Sequence, residues 1–137
     1  MDRMLVLFDA APICCKLWSK DLKVIICNQE CVRVFGTRSK KEFCDRFFEF
    51  SPEFQPDGRS SVQAAAAEVA KGFETGHSRF EWLHQKMDGT PLPTEVTLVK
   101  VSYNGEDALA GYIRDITEQK KMEDDLEAAL CEAKSAS

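Results

Sequence analysis

The 137-residue sequence has little of what marks membrane proteins, nucleic-acid binders and the common enzyme classes. No apolar run approaches the roughly 20 residues that a membrane span requires. The opening stretch MDRMLVLFDAAP has neither the basic region, the long apolar stretch nor the small-residue cleavage site of a secretory signal. The expected location is the cytoplasm, with no membrane insertion. Positive charge is also short: 18 Lys and Arg stand against 23 Asp and Glu, a net charge of −5. That balance leaves no extended basic face to neutralise phosphate, which argues against nucleic acid or an anionic lipid surface as partner.

Catalytic signatures are equally scarce. There are two histidines, His77 and His84, and no Cys-x-x-Cys-His haem attachment, glycine-rich phosphate loop, nucleophile elbow or paired acidic metal motif. No catalytic residue is assigned and the chain is not read as an enzyme. No Pro, Gly or Ser tract marks disorder, and no internal repeat is visible. The length suits one domain, since two cores would each fall near the marginal size of about 60 residues.

Six cysteines are present: Cys14, Cys15, Cys27, Cys31, Cys44 and Cys131. Mostly apolar neighbours and a reducing compartment favour reduced core thiols over disulfides. Cys27 and Cys31 are separated by three residues, but no second pair or suitably spaced His completes a four-ligand set, so no metal site is expected. Cys14 and Cys15 are adjacent and would point to opposite faces of a strand. A redox switch at Cys27 has nothing beside it that would lower the thiol's pKa.

Turn chemistry divides the rest. Asn28 precedes a short helical pattern that ends at Phe35, with Gly36 placed to stop it. Ser39 and Glu42 form a capping-box pattern, followed by Phe43, Phe47 and Phe50 at helical spacing. After a turn at Pro56, Asp57 and Gly58, Ser60 and Gln63 open a third helix through Val62, Ala66, Val69 and Phe73, which Gly72 helps to end. From His77 the period becomes two. One strand carries Phe80, Trp82 and His84 on one face to a turn at Asp88 and Gly89, and a second spans 94–103. Asn104 and Gly105 form a hairpin turn into a third strand, 108–114. Two earlier strands, 13–18 and 23–27, join through Ser19, Lys20 and Asp21. The predicted order is two strands, three helices, three strands.

The last segment has a different composition. Asp115 and Glu118 give a cap and its carboxylate, and Gln119, Met122, Leu126, Ala129 and Ala133 then repeat at alternating spacings of three and four. Residues 118–134 hold six acids and three bases, a charge of −3 that accounts for more than half of the total. Such a seam suits a partner helix; a solvated helix on its own domain is the alternative, because two heptads do not establish a coiled coil. At the other end Met4, Leu5, Leu7 and Phe8, ahead of Ala10, Ala11 and Pro12, suit a helix packed at a dimer interface or on the domain's own sheet.

The strings VIICNQECVRVFG (24–36), FEWLHQKMDG (80–89), PTEVTLVKV (93–101) and AGYIRDITEQKK (110–121), in this order and spacing, resemble a PAS domain, of the kind found in bacterial sensor histidine kinases and diguanylate cyclases. The resemblance covers about residues 7–121. It implies an α+β fold: a five-stranded antiparallel sheet in order 2-1-5-4-3, short helices over one face enclosing a small cavity, and a C-terminal signalling helix. Residues 1–12 would be an N-terminal helical segment, 13–116 the PAS core and 117–137 the start of a coiled-coil linker. The implied function is a sensory module of a larger signal-transduction protein, most readily a sensor histidine kinase, with catalysis in a covalently linked output domain. A ligand-free dimerisation and relay module is the alternative, as is part of a diguanylate cyclase.

The resemblance also suggests the candidate ligand-binding residues. If Phe80, Trp82 and His84 face the helices, their neighbours on the next strands are Val96 and Leu98, then Leu109, Gly111 and Ile113. Gly111 leaves room on a central strand for a ligand or simply relieves crowding. His84 either orients a polar or anionic ligand between aromatic walls or is a core histidine satisfied by a backbone carbonyl. Ala64 to Ala67 open the pocket or only favour helix. Arg114, Asp115 and Thr117 match the family's link from sheet to signalling helix. Glu81 and Glu95 fall on the opposite face, where a second subunit or the N-terminal segment would cover the sheet. A homodimer is expected through that face, the N-terminal segment and the C-terminal helix.

No cofactor is assigned beyond an unidentified small molecule. Members of the family that bind b-type haem supply a histidine from the helix before the third strand, and Ser60 to Lys71 contains none. Members that bind flavin as light sensors place a reactive cysteine in an Asn-Cys-Arg-Phe-Leu type of helix, whereas Cys44 lies in Glu-Phe-Cys-Asp-Arg-Phe. Haem and flavin are therefore not expected.

Overall fold

The structure, a computed structural model, describes residues 3–136, with side chains from 7 to 135. Helix α1 (Arg3–Ala10) leads into strands β1 (Cys14–Trp18) and β2 (Val24–Cys27). Helices α2 (Gln29–Phe35) and α3 (Lys40–Asp45), a 3₁₀ turn at Phe47–Phe50 and helix α4 (Ser61–Thr75) follow. Strands β3 (His77–Gln85), β4 (Pro91–Tyr103) and β5 (Glu106–Asp115) lead to helix α5 (Thr117–Ala136). The strands form one antiparallel sheet in the order β2-β1-β5-β4-β3, as the resemblance implied.

Turn residues set the register. Asn104 and Gly105 both adopt positive φ, 51° and 78°, so β4 reverses into β5 with Tyr103 opposite Glu106. Strand β4 starts three residues before the predicted 94, although positions 91 and 93 are prolines. The reason is geometric: Pro93 opposes Leu83 of β3, whose N–H and C=O point away from β4, so the missing N–H breaks no bond of that ladder. The Pro93 carbonyl accepts from Ile116 N–H at 3.0 Å instead.

Three local expectations are corrected. The helix through Phe43, Phe47 and Phe50 is broken at Arg46 (φ −110°, ψ 15°), and the chain continues as a 3₁₀ turn that buries Phe47 and Phe50 and leaves Phe48 out. Gly72 does not end α4; Gly76, at φ 89°, does so by donating to the Gly72 carbonyl. Gly72 is instead a point of close approach, where a Cβ would meet both Leu109 methyls at 3.2 Å. Asn28 sits at the N-cap of α2 without capping it by its side chain. Its amide accepts from Cys15 N–H at 3.0 Å and donates to the Phe8 and Ile13 carbonyls at 2.9 Å, tying α1, β1 and α2 together.

The core lies between the helices and the inner sheet face. Phe35, Phe43, Phe47 and Phe50 form a cluster of rings with centroids 5.2 to 6.4 Å apart, packed toward Leu92, Val96, Leu109 and Ile113. Aromatic pairs at such spacing add about 0.5–1.5 kcal/mol each beyond area burial. Helix α1 packs on α2, where Asp9 accepts from Gln29 N–H and pairs with Lys40. Leu7 is exposed; the side chains of Met4 and Leu5 lie outside the described residues.

Candidate functional site

Strand parity sends Phe80, Trp82 and His84 to the inner face, opposite Val96, Thr94 and Leu92. Leu98, Gly111 and Lys16 form one row across β4, β5 and β1, and Val96, Ile113 and Cys14 form the next. Between this face and α4 with the 3₁₀ turn lies a cavity of about 500 Å³. Five of the eight candidate ligand residues line it: Phe80, Trp82, His84, Val96 and Leu98. The other three do not. Leu109 is buried beneath Gly72, Ile113 is in the core, and the space above Gly111 is filled by Lys16. Ala65 and Ala66 line the cavity, whereas Ala64 is buried in the core.

His84 is held by a backbone carbonyl, as one of its two suggested roles requires. Its Nδ1 lies 3.0 Å from the Phe50 carbonyl, which can only accept, so Nδ1 carries the proton. Nε2 is then an acceptor, and it is buried with no partner. Burial first, and the nearby Lys16 charge second, push the imidazole pKa down to about 3. A neutral imidazole with only a lone pair to offer can accept from a ligand but cannot donate to an anion.

The donors come from β1. The Lys16 side chain is 3% exposed and lines the cavity, with Nζ 4.6 Å from the Phe47 ring centroid and 5.7 Å from that of Trp18. Burial lowers its pKa to about 8. The Trp18 indole N–H is buried without a partner, while that of Trp82 is held by Ser51 Oγ at 2.9 Å. Neither Lys16 nor Trp18 was singled out from sequence. The available signal was the alternation Cys14, Lys16, Trp18 beside a strand with glycine at 111.

Gln55 was also missed. Buried in the loop before α4, it accepts from Leu83 N–H at 2.9 Å and donates to the Leu83 carbonyl at 3.1 Å and to Ser61 Oγ at 3.0 Å. The amide thereby stands in for a neighbouring strand at the edge of β3 and anchors the loop at the cavity rim.

At the exit from the sheet, Asp115 Oδ1 accepts from Thr117 N–H at 2.9 Å and from Thr117 Oγ1 at 2.5 Å. Ile116 between them is buried, an anchor the sequence reading passed over. Arg114 pairs with Glu95 at 3.2 Å, and Lys120 of α5 pairs with Glu81 at 2.6 Å. Glu81 and Glu95 thus meet cations on the outer face, and Arg79 followed by Arg114 holds the Glu95 carboxyl below the usual range. In the thiol cluster, the neighbouring Cys31 sulfur first and burial second raise Cys14 and Cys27, whose S–H groups reach the Glu30 and Lys40 carbonyls.

The family model of the PAS domain matches residues 12–118. The chain belongs to the PAS domain family. Solved PAS domains share its architecture. That of an HTR-like protein from Haloarcula marismortui is 27% identical, with a TM-score of 0.66 over 83% of this chain and 89% of that one. The PAS domain of nitrogen regulation protein NR(II) from Vibrio parahaemolyticus is 14% identical, with a TM-score of 0.66 over 85% and 100%. The PAS domain, in complex with ethanol, of a LuxR-family transcriptional regulator from Burkholderia thailandensis is 19% identical, with a TM-score of 0.65 over 85% and 99%. No curated protein sequence matches the chain. PAS domains are sensory modules rather than catalysts, and no helix among the described residues is long and apolar enough to cross a membrane.

Proposed function

We propose that this PAS domain is the cytoplasmic input of a larger signalling protein, with a sensor histidine kinase as the preferred parent, and that it takes a small ligand in the cavity between sheet and helices. The observation that carries the reading is the 500 Å³ cavity itself, apolar along Phe80, Val96 and Leu98 yet holding two buried polar atoms without partners, His84 Nε2 and Trp18 Nε1. A native interior satisfies its buried polar groups, so two orphans in one cavity mark a place for a guest. The ethanol complex of the Burkholderia PAS domain is a precedent in the same fold. The histidine kinase parent is supported by the nitrogen regulator and by the PAS domain of a two-component sensor histidine kinase, 11% identical with a TM-score of 0.65.

The route outward is short. A ligand that binds two arrangements of the sheet unequally shifts their populations. Strand β5 passes through Asp115, Ile116 and Thr117 directly into α5, so a changed sheet changes the exit of that helix. Along α5, Met122, Leu126 and Leu130 are 71%, 62% and 57% exposed and lie on one side at spacings of four. That stripe, with Tyr112 exposed on the outer sheet face, favours a homodimer in which α5 pairs with its copy. Native mass spectrometry tests the reading: a retained small molecule supports the sensor, and an empty dimer unresponsive to added small molecules supports the ligand-free relay instead.

A further inference from the structure

Among the described residues, Lys16 is the one Lys, Arg, Asp or Glu whose side chain is buried. A buried ammonium costs several kcal/mol of hydration and is normally matched by a carboxylate. Among the described residues no hydrogen bond and no ion pair reaches Nζ; the thiols of Cys14, Cys15 and Cys31 act on its charge from the core without bonding to it, and the faces of Phe47 and Trp18 lie against it. Such faces return about 0.5–2 kcal/mol, less than the hydration lost. The other charged group on the cavity wall, Glu53, is exposed at the rim. The Trp18 indole N–H, on the same strand and the same face, is a second donor without an acceptor. The cavity therefore presents one cation and one neutral donor at the β1 end and a wall of Phe80, Val96 and Leu98 farther along.

We propose that this cavity selects a monocarboxylic acid with an apolar body, its carboxylate against the Lys16 ammonium and the Trp18 N–H and its apolar part along Phe80, Val96 and Leu98. The inference rests on the ligand-binding reading above and adds the ligand's charge and class. One ammonium matches one negative charge; a dianion would bring a second charge into an apolar space with nothing to meet it. With a pKa of about 8, Lys16 is mostly charged at neutral pH. His84 Nε2, an acceptor, repels a carboxylate and directs it toward β1.

Calorimetric titration at pH 7 with 3-phenylpropionate and its neutral amide, and with octanoate and octanamide, tests the proposal. The acids should bind the wild-type protein at least about tenfold more tightly than the amides, and Lys16→Met should abolish that preference while amide binding persists. Lys16→Met removes a buried charge without changing the volume much, so it should melt no lower than the wild type; Lys16→Gln serves if it does not fold. An amide that binds as well as its acid, or an acid preference that survives at position 16, overturns the carboxylate and leaves the cavity reading standing. Failure of both members of both pairs to bind overturns the cavity reading as well.

Discussion

A Cβ placed on Gly111 would lie 3.3 Å from Lys16 Cγ and 3.4 Å from Lys16 Nζ, so the lysine lies flat across the backbone of the neighbouring strand. The glycine keeps the ammonium inside. Gly111→Ala should push the flexible Lys16 side chain aside at a cost of about 1–3 kcal/mol, read by urea unfolding, and should weaken 3-phenylpropionate binding. Unchanged stability and affinity would show that the two residues are not coupled.

Lys16 also predicts an alkaline rise in stability. Its pKa is about 8 when folded against an ordinary 10.5, so between those values the unfolded chain binds the extra proton and stability increases with pH. The full rise is about 3 kcal/mol. The groups facing Lys16 are the thiols of Cys14, Cys15 and Cys31 and the His84 imidazole. The raised thiols of Cys14, Cys15 and Cys27 pull stability the other way in the same window in both proteins, so urea unfolding should show the wild type gaining stability relative to Lys16→Met as pH rises; parallel profiles would contradict the assignment.

His84 acts at the other end of the pH scale. Its folded pKa near 3 lies below the ordinary 6.5, so the unfolded chain takes up the proton first and stability falls as pH drops from about 6.5 toward 3. Imidazole NMR signals should show His84 neutral at pH 5, with Nδ1 protonated. A midpoint near 6.5 would mean that the imidazole is not buried in solution.

Gln55→Leu should expose the consequence of an uncapped edge. The buried Leu83 N–H and C=O lose their side-chain partners, at about 1–3 kcal/mol, and the freed edge of β3 should promote concentration-dependent association. Unfolding curves and gel filtration over a range of concentrations check both.

Asp115→Ala should weaken the start of α5 by about 1 kcal/mol and raise amide exchange at Thr117 and Glu118. Ligand affinity should stay as in the wild type, while any ligand-dependent change in α5 is lost. A variant that still transmits the change would remove Asp115 from the relay.

Much of this architecture was legible because the turns carry their own chemistry. Asn104-Gly105 and Asp88-Gly89 fixed the β3-β4-β5 meander, and alternation then placed Phe80, Trp82 and His84 on one face. The break at Arg46 was not legible, since Phe43, Phe47 and Phe50 fit an unbroken helix equally well. Gln55 meets Leu83 across 28 residues, a pairing no local pattern encodes. Lys16 was hidden by its charge: a lysine in a strand is read as a solvent residue, and only the bare Gly111 beside it gives it room to lie inward.

The central claim is most directly tested by the indole N–H signals of an isotope-labelled chain during titration with 3-phenylpropionate. The two tryptophans, Trp18 and Trp82, both line the cavity. The Trp18 signal, from a donor with no partner, should move in a saturable way and further than that of Trp82, which Ser51 already holds, with backbone shifts following at Ile116 and Thr117. If both indole signals stay fixed through millimolar acid, the cavity does not bind this class of ligand and the account fails.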